Sequence, residues 1–190
     1  MRIQAANGYY LPSLFFMKIE SDDDVLEIVQ NNEQTFVHEY IHFLQDLILP
    51  YNIRNTLVSN RDFALISSTG FHEKEISRPF SKWDDDAELT NKQFAYIWGG
   101  QDFKSDKEKI VTIEKEHFEI YTGARIFGYV LTTETGYQYH IGARDFLEYM
   151  AHKIEEKNWP VRHPAFPYQT IDLIFEYYGL EWVVDDVKLC

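Results

Sequence analysis

Three residues, His38, Glu39 and His42, set the chemistry open to this sequence. They form H-E-x-x-H inside Thr35-Phe36-Val37-His38-Glu39-Tyr40-Ile41-His42-Phe43-Leu44-Gln45-Asp46-Leu47. On a helix, residues four apart lie one turn apart on the same face, so both imidazoles can bind one metal ion. Glu39 sits about 100° round the helix, within reach of a water on that metal, as a general base must be. Two His ligands, a Glu base and a third ligand from elsewhere make a hydrolytic zinc site.

The third ligand has to be found elsewhere in the chain. An extension to H-E-x-x-H-x-x-G-x-x-H is excluded, because Gln45 stands where Gly is required and Ile48 where His is required. Glu148, in Ala143-Arg144-Asp145-Phe146-Leu147-Glu148-Tyr149-Met150-Ala151-His152, is the leading candidate. It lies beside an apolar stripe, and the small Ala151 lets another helix come close. His152 on the same face is a rival, as are His72 and Glu73 in Phe71-His72-Glu73-Lys74-Glu75.

Helices must carry these groups. The central one is expected from about Glu33 to Leu49, stopping before Pro50. Val37, Tyr40, Ile41, Leu44 and Ile48 should form its buried face, with His38, His42 and Gln45 as a polar stripe beside it. The second runs over Ala143–Lys157, with Phe146, Leu147, Met150, Ala151 and Ile154 packed inward. Before them, Tyr9–Ile19 reads as a strand, and a short helix to Gln30 starts with Ser21 as cap.

Between the two helices, Asn55–Ser67 is expected to be helical, Thr69–Asp86 a loop, and Thr90–Trp98 a short helix ended by Gly99-Gly100. The Asp84-Asp85-Asp86 run reads as a solvated turn, since it lacks the glycine and distal Glu of a calcium loop. Period-two patterning then predicts strands at Ile110–Glu114, His117–Thr122, Arg125–Thr132 and Tyr137–Ile141, an antiparallel meander with turn or bulge sites at Gly123 and Gly128. A last helix spans Gln169–Tyr178, with Gly179 as C-cap.

The chain has 190 residues, 45% apolar and 16% aromatic, with 13 Tyr and 14 Phe, which suits a single α+β domain over 1–190. The abrupt segment Leu180–Cys190 is what the front part of a longer protein would look like. A net charge of −13 argues against nucleic acid and anionic membrane as partners; it reads first as a solvated acidic surface and only weakly favours a basic protein partner or peptide. Cys190 is the only cysteine, so no disulfide can form within the chain. With no signal peptide and no apolar run long enough to span a bilayer, a cytoplasmic location is expected.

The residues His38-Glu39-Tyr40-Ile41-His42, with Glu148-x-x-Ala151 on a later helix, resemble the gluzincins, zincin metallopeptidases whose third ligand is Glu. The longer string through Phe43-Leu44-Gln45 also resembles a group of little-characterised bacterial proteins. The match covers two short stretches. It implies a zincin-like fold, an antiparallel or mixed sheet packed on the motif helix and on a second, Glu-bearing helix. It also implies peptide-bond hydrolysis by a zinc-bound water, with His38, His42 and Glu148 as ligands and Glu39 as general base. In the best-known gluzincins the ligand Glu comes soon after the motif and has an Asp four residues on; here it comes far along the chain and His152 holds that position. Tyr137, Tyr139 and His140, just before the Glu148 helix, are candidates to hold the developing oxyanion, as is Tyr168. A zincin-like binding or regulatory module, recognising a protein partner without cutting it, is the alternative. Hydrolysis of a non-peptide substrate is a third.

Overall fold

The computed structural model describes residues 8–11, 14–21, 24–72, 99–100, 108–121, 124–160 and 162–180. Among these the chain is α+β: five helices and two small antiparallel sheets. The expected helix Thr90–Trp98, the Asp84–Asp86 run, Glu73 and Gly123 lie outside the described residues.

The first expected strand is a hairpin, β1 (Gly8–Leu11) paired with β2 (Phe16–Ile19). The chain reverses where the Leu14 N–H donates to the Leu11 carbonyl, 3.3 Å. Glycine at position 8 lets β1 lie directly on the following helices. A Cβ there would come within 2.8 Å of the Lys18 carbonyl and 2.9 Å of the Thr35 methyl.

Helix α1 (Val25–Asn31) is capped by Asp24, not Ser21: the Asp24 carboxylate accepts from the N–H groups of Leu26 and Glu27. Helix α2 (Glu33–Ile48) ends where Leu49 turns extended before Pro50. Pro50 then opens α3 (Pro50–His72), a first-turn position where proline's missing N–H costs nothing. This helix is longer at both ends than the sequence pattern suggested, and takes in the start of the expected loop.

The meander has three strands, in the order β3 (Ile110–Tyr121), β4 (Ala124–Thr133), β5 (Gln138–Ile141). The two segments either side of Lys115-Glu116 are one continuous strand. Gly128 pairs with Glu116 in a regular ladder and is no bulge; the irregularities fall at Ile110/Thr112 and Glu119/Tyr121. Helices α4 (Ala143–Glu156) and α5 (Thr170–Tyr178) follow, and Gly179 closes α5 in the left-handed conformation at φ 66°. Asp145 ties the two together, accepting from the Gly142 N–H at 2.8 Å and from the Thr170 hydroxyl at 2.6 Å. The apolar core is Ile110, Leu131, Tyr139, Ala165, Phe166 and Leu173, between the sheet and α5. No helix among the described residues is long and apolar enough to cross a membrane.

Helix α2 packs against β1–β2 on one side and α4 on another. Its burial reverses the expectation. Of the apolar face only Ile41 is buried; Tyr40, Leu44 and Ile48 are exposed, Ile48 by 66%. His38, Glu39, Gln45 and Asp46 are buried instead. On α4, Leu147 and Ala151 are buried as expected, but Phe146, Met150 and Ile154 face outward while Asp145, His152 and Glu155 face inward. The physical reason is that most of these polar groups find partners: His38 and Gln45 across the seam on α4, Glu39 and Asp46 at Tyr10 of β1, and Asp145 at Gly142 and Thr170.

Candidate metal centre

Helical spacing places His38 and His42 on one face of α2, and α4 lays Glu148 across them. His38 Nε2 lies 3.2 Å from His42 Nε2 and 3.2 Å from Glu148 Oε2, and His42 Nε2 lies 3.4 Å from the same oxygen. Three ligand atoms thus form a near-equilateral triangle, and together they could hold a metal ion.

His38 Nδ1 is 3.1 Å from Glu155 Oε2 and its Nε2 is 3.2 Å from Glu148 Oε2; ionised carboxylates only accept, so each of the two nitrogens faces a group to which it can donate. His42 Nδ1 is 2.8 Å from Gln45 Oε1. The Gln45 amide nitrogen donates to the Leu147 carbonyl at 3.0 Å, which leaves its oxygen to accept from His42. Neutral His42 thus turns an Nε2 lone pair toward Glu148, and His38 does the same when its one hydrogen stays on Nδ1, facing Glu155. Two lone pairs and a carboxylate meet favourably only with a hydrogen or a cation among them.

In the metal-free chain that hydrogen is a proton on His38. Burial works against its charge, but its hydrogen bonds to Glu148 and Glu155 outweigh burial and push its pKa up to about 10. Glu148 is also buried, which raises its pKa, yet the bonds to His38 and His42 hold it well below the usual carboxylate range. A cation has the same electrostatic effect on these groups as the proton, with more charge.

Glu39 is buried beside them, 6% exposed. Burial raises its pKa, the two histidines pull it down, Glu148 pushes it up, and the Tyr10 backbone N–H donates to it; the balance is upward. Tyr10 also donates its hydroxyl to Asp46 Oδ2 at 2.8 Å, which anchors β1 to α2 beneath Glu39.

The other candidates are placed as follows. Tyr139 is 1% exposed in the apolar core, stacked on Phe166 at 4.4 Å, and so sits as a core residue. Tyr137 packs at the edge of the same core, and His140 is exposed on β5, its carbonyl accepting from the Gly100 N–H. The rings against His38 are His42, His163 and Tyr168, at 4.9, 5.9 and 6.1 Å between centroids. His152 is buried edge-on to His163, and burial together with His163 lowers its pKa to about 4. It is not part of the triangle. His72 ends α3, and nothing of its side chain is described.

Gln34, Glu155 and His163 had no place in the sequence reading. Only Glu155 carried a signal, its seven-residue spacing from Glu148. Comparison with protein families, curated proteins and solved structures returns no match.

Proposed function

We propose that this chain is a zinc-dependent peptidase of zincin-like type. The observation that carries the reading is the triangle of three acceptors with edges of 3.2, 3.2 and 3.4 Å. A regular tetrahedron with edges of about 3.3 Å has its centre about 2.0 Å from each corner, the length of a Zn–N or Zn–O bond. Two imidazoles and one carboxylate suit zinc better than calcium or magnesium, which favour all-oxygen sets. The fourth corner would stay open, as in catalytic sites.

Zinc bound there would supply Lewis acidity and a water of lowered pKa. The chain's own residues do the rest. His38, His42 and Glu148 would hold the ion. Glu39, its pKa raised by burial, takes a proton from the attacking water. The new C–O bond forms at the scissile carbonyl, the C–N bond breaks, and Glu39 returns the proton to the leaving amine. The Tyr10 N–H donates to the Glu39 carboxylate and so restrains it. The net charge of −13 favours a basic peptide or protein as substrate, and the lone Cys190 fits action in the cytoplasm.

The test is hydrolysis of a peptide library by wild type and Glu39→Gln, each loaded with one zinc. Gln keeps the shape but cannot move a proton, so cleavage should fall by about 100-fold or more while zinc is retained. Equal turnover in the two proteins would place the activity elsewhere. Zinc binding with no cleavage in either would favour the partner-recognition module.

A further inference from the structure

The sequence has a histidine, His152, four residues after Glu148, yet that ring takes no part in orienting the candidate metal centre. The geometry puts a different residue there. Glu155 is 2% exposed and makes three contacts. Its Oε1 accepts from the Gln34 amide at 2.6 Å, and its Oε2 lies 3.1 Å from His38 Nδ1 and 2.9 Å from His163 Nε2. His163 is itself fixed by stacking on Tyr168 at 4.2 Å.

The spacing explains why position 155 is used. Glu148 and Glu155 are seven residues apart on α4, two turns and about 10 Å of rise. That is about the span of an imidazole with a contact at each end. One helix therefore grips His38 at both nitrogens, Glu148 at Nε2 and Glu155 at Nδ1. Four residues of rise, about 6 Å, would be too short for this grip. Gln34 on α2 and His163 beyond α4 anchor Glu155 from two further directions, so the carboxylate is held rather than merely present.

We infer that Glu155, locked by Gln34 and His163, is the positioning residue of the metal centre: it fixes the His38 tautomer and ring orientation so that Nε2 faces the ion. This rests on the zinc reading above. A carboxylate behind a ligating imidazole also makes that imidazole a stronger donor, and losing such a partner costs about 10–100-fold in metal affinity. His38, Glu155 and His163 also lie close enough together to ligate a cation of their own. The two groups share His38, so filling both would strip both of its ring nitrogens of hydrogen, whereas filling the His38, His42 and Glu148 group alone leaves Nδ1 free to donate to Glu155.

The experiment is competition of the metal-free full chain with a chelator for Zn²⁺, with stoichiometry measured, alongside the visible spectrum of the Co²⁺ form. The proteins are wild type, Glu155→Gln, Glu155→Asp and His163→Phe. Wild type should bind one Zn²⁺. Glu155→Gln should still bind one, about 10–100-fold more weakly and with a shifted Co²⁺ spectrum. Glu155→Asp should recover part of the affinity, which a role in packing alone would not produce. His163→Phe keeps a ring against Tyr168 but removes the donor; it should weaken binding in the same direction by less, and it carries the test if Glu155→Gln does not fold. Wild-type binding with Glu155→Gln within twofold of it overturns this inference and leaves the zinc reading intact. Two Zn²⁺ in wild type and one in Glu155→Gln would make Glu155 a ligand and overturn it as well. A wild type that binds no zinc sinks both.

Discussion

The molecule buries two kinds of interior. Between the sheet and α5, Leu131, Tyr139 and Phe166 make an ordinary apolar core held mainly by non-directional contacts. Between α2 and α4, the buried groups are His38, Gln45, Glu155 and their partners, joined by hydrogen bonds of 2.6–3.1 Å. Burying polar groups gives little net stability even when every bond is made. The seam is therefore hard to explain as a device for stability, and its cost makes sense if the converging acceptors bind a cation. One interior holds the fold; the other gives up part of that stability for the proposed site.

The largest effect should come from the first interior. Phe166 is fully buried and stacked on Tyr139, so Phe166→Ala should cost about 3–5 kcal/mol, seen as a fall of roughly 10 °C or more in Tm. Whatever fraction stays folded should bind zinc as wild type does. A Phe166→Ala protein that keeps its Tm but loses metal would break the division between the two interiors.

The seam should respond to pH where the core does not. His38 has a folded pKa of about 10 against an ordinary value of 6.5, so its protonated form stabilises the metal-free fold fully below pH 6.5, and that contribution is lost as pH rises toward 10. Glu148 and Glu155 are shifted the other way; their contribution is present above the ordinary carboxylate range and lost as pH falls toward their depressed values. Zinc must displace the His38 proton, so affinity should rise about tenfold per pH unit between pH 6 and 8 for that one proton. Chelator competition at several pH values measures the slope. A flat profile would mean that His38 is already neutral.

The smallest effect belongs to the outer face of α2. Ile48 is mostly exposed, so Ile48→Gln should change stability by no more than about 0.5 kcal/mol and leave zinc affinity unchanged. A loss of several kcal/mol in a thermal melt would show that this face is covered after all.

How much of this could be read in the sequence follows the same division. The four-residue spacing of His38 and His42 fixed their common face, and the small Ala151 beside Glu148 pointed to the helix that approaches them. Strand alternation located the meander, although Lys115-Glu116 looked like a break and is mid-strand. The burial of α2 was read the wrong way round. Hydropathy puts Tyr40, Leu44 and Ile48 inside, but what decides is whether Gln45 and His38 find partners, and those partners lie on α4. Glu155 was illegible for the same reason: beside Glu156, near the end of a helix, it looks like any solvated acid. That Tyr139 is buried in the apolar core was not legible either, because its proximity to α4 in sequence says nothing about which side of β5 it faces.

The central claim is that His38, His42 and Glu148 together form a metal centre. Zinc titration of metal-free wild type against Glu148→Ala tests it most directly, since the substitution removes one corner of the triangle without lowering helix propensity. The expected result is one Zn²⁺ per wild-type chain, with affinity at least about 100-fold weaker in Glu148→Ala, more than the loss of an orienting partner alone would give. Equal affinity in the two proteins, or no zinc bound by wild type, would contradict it.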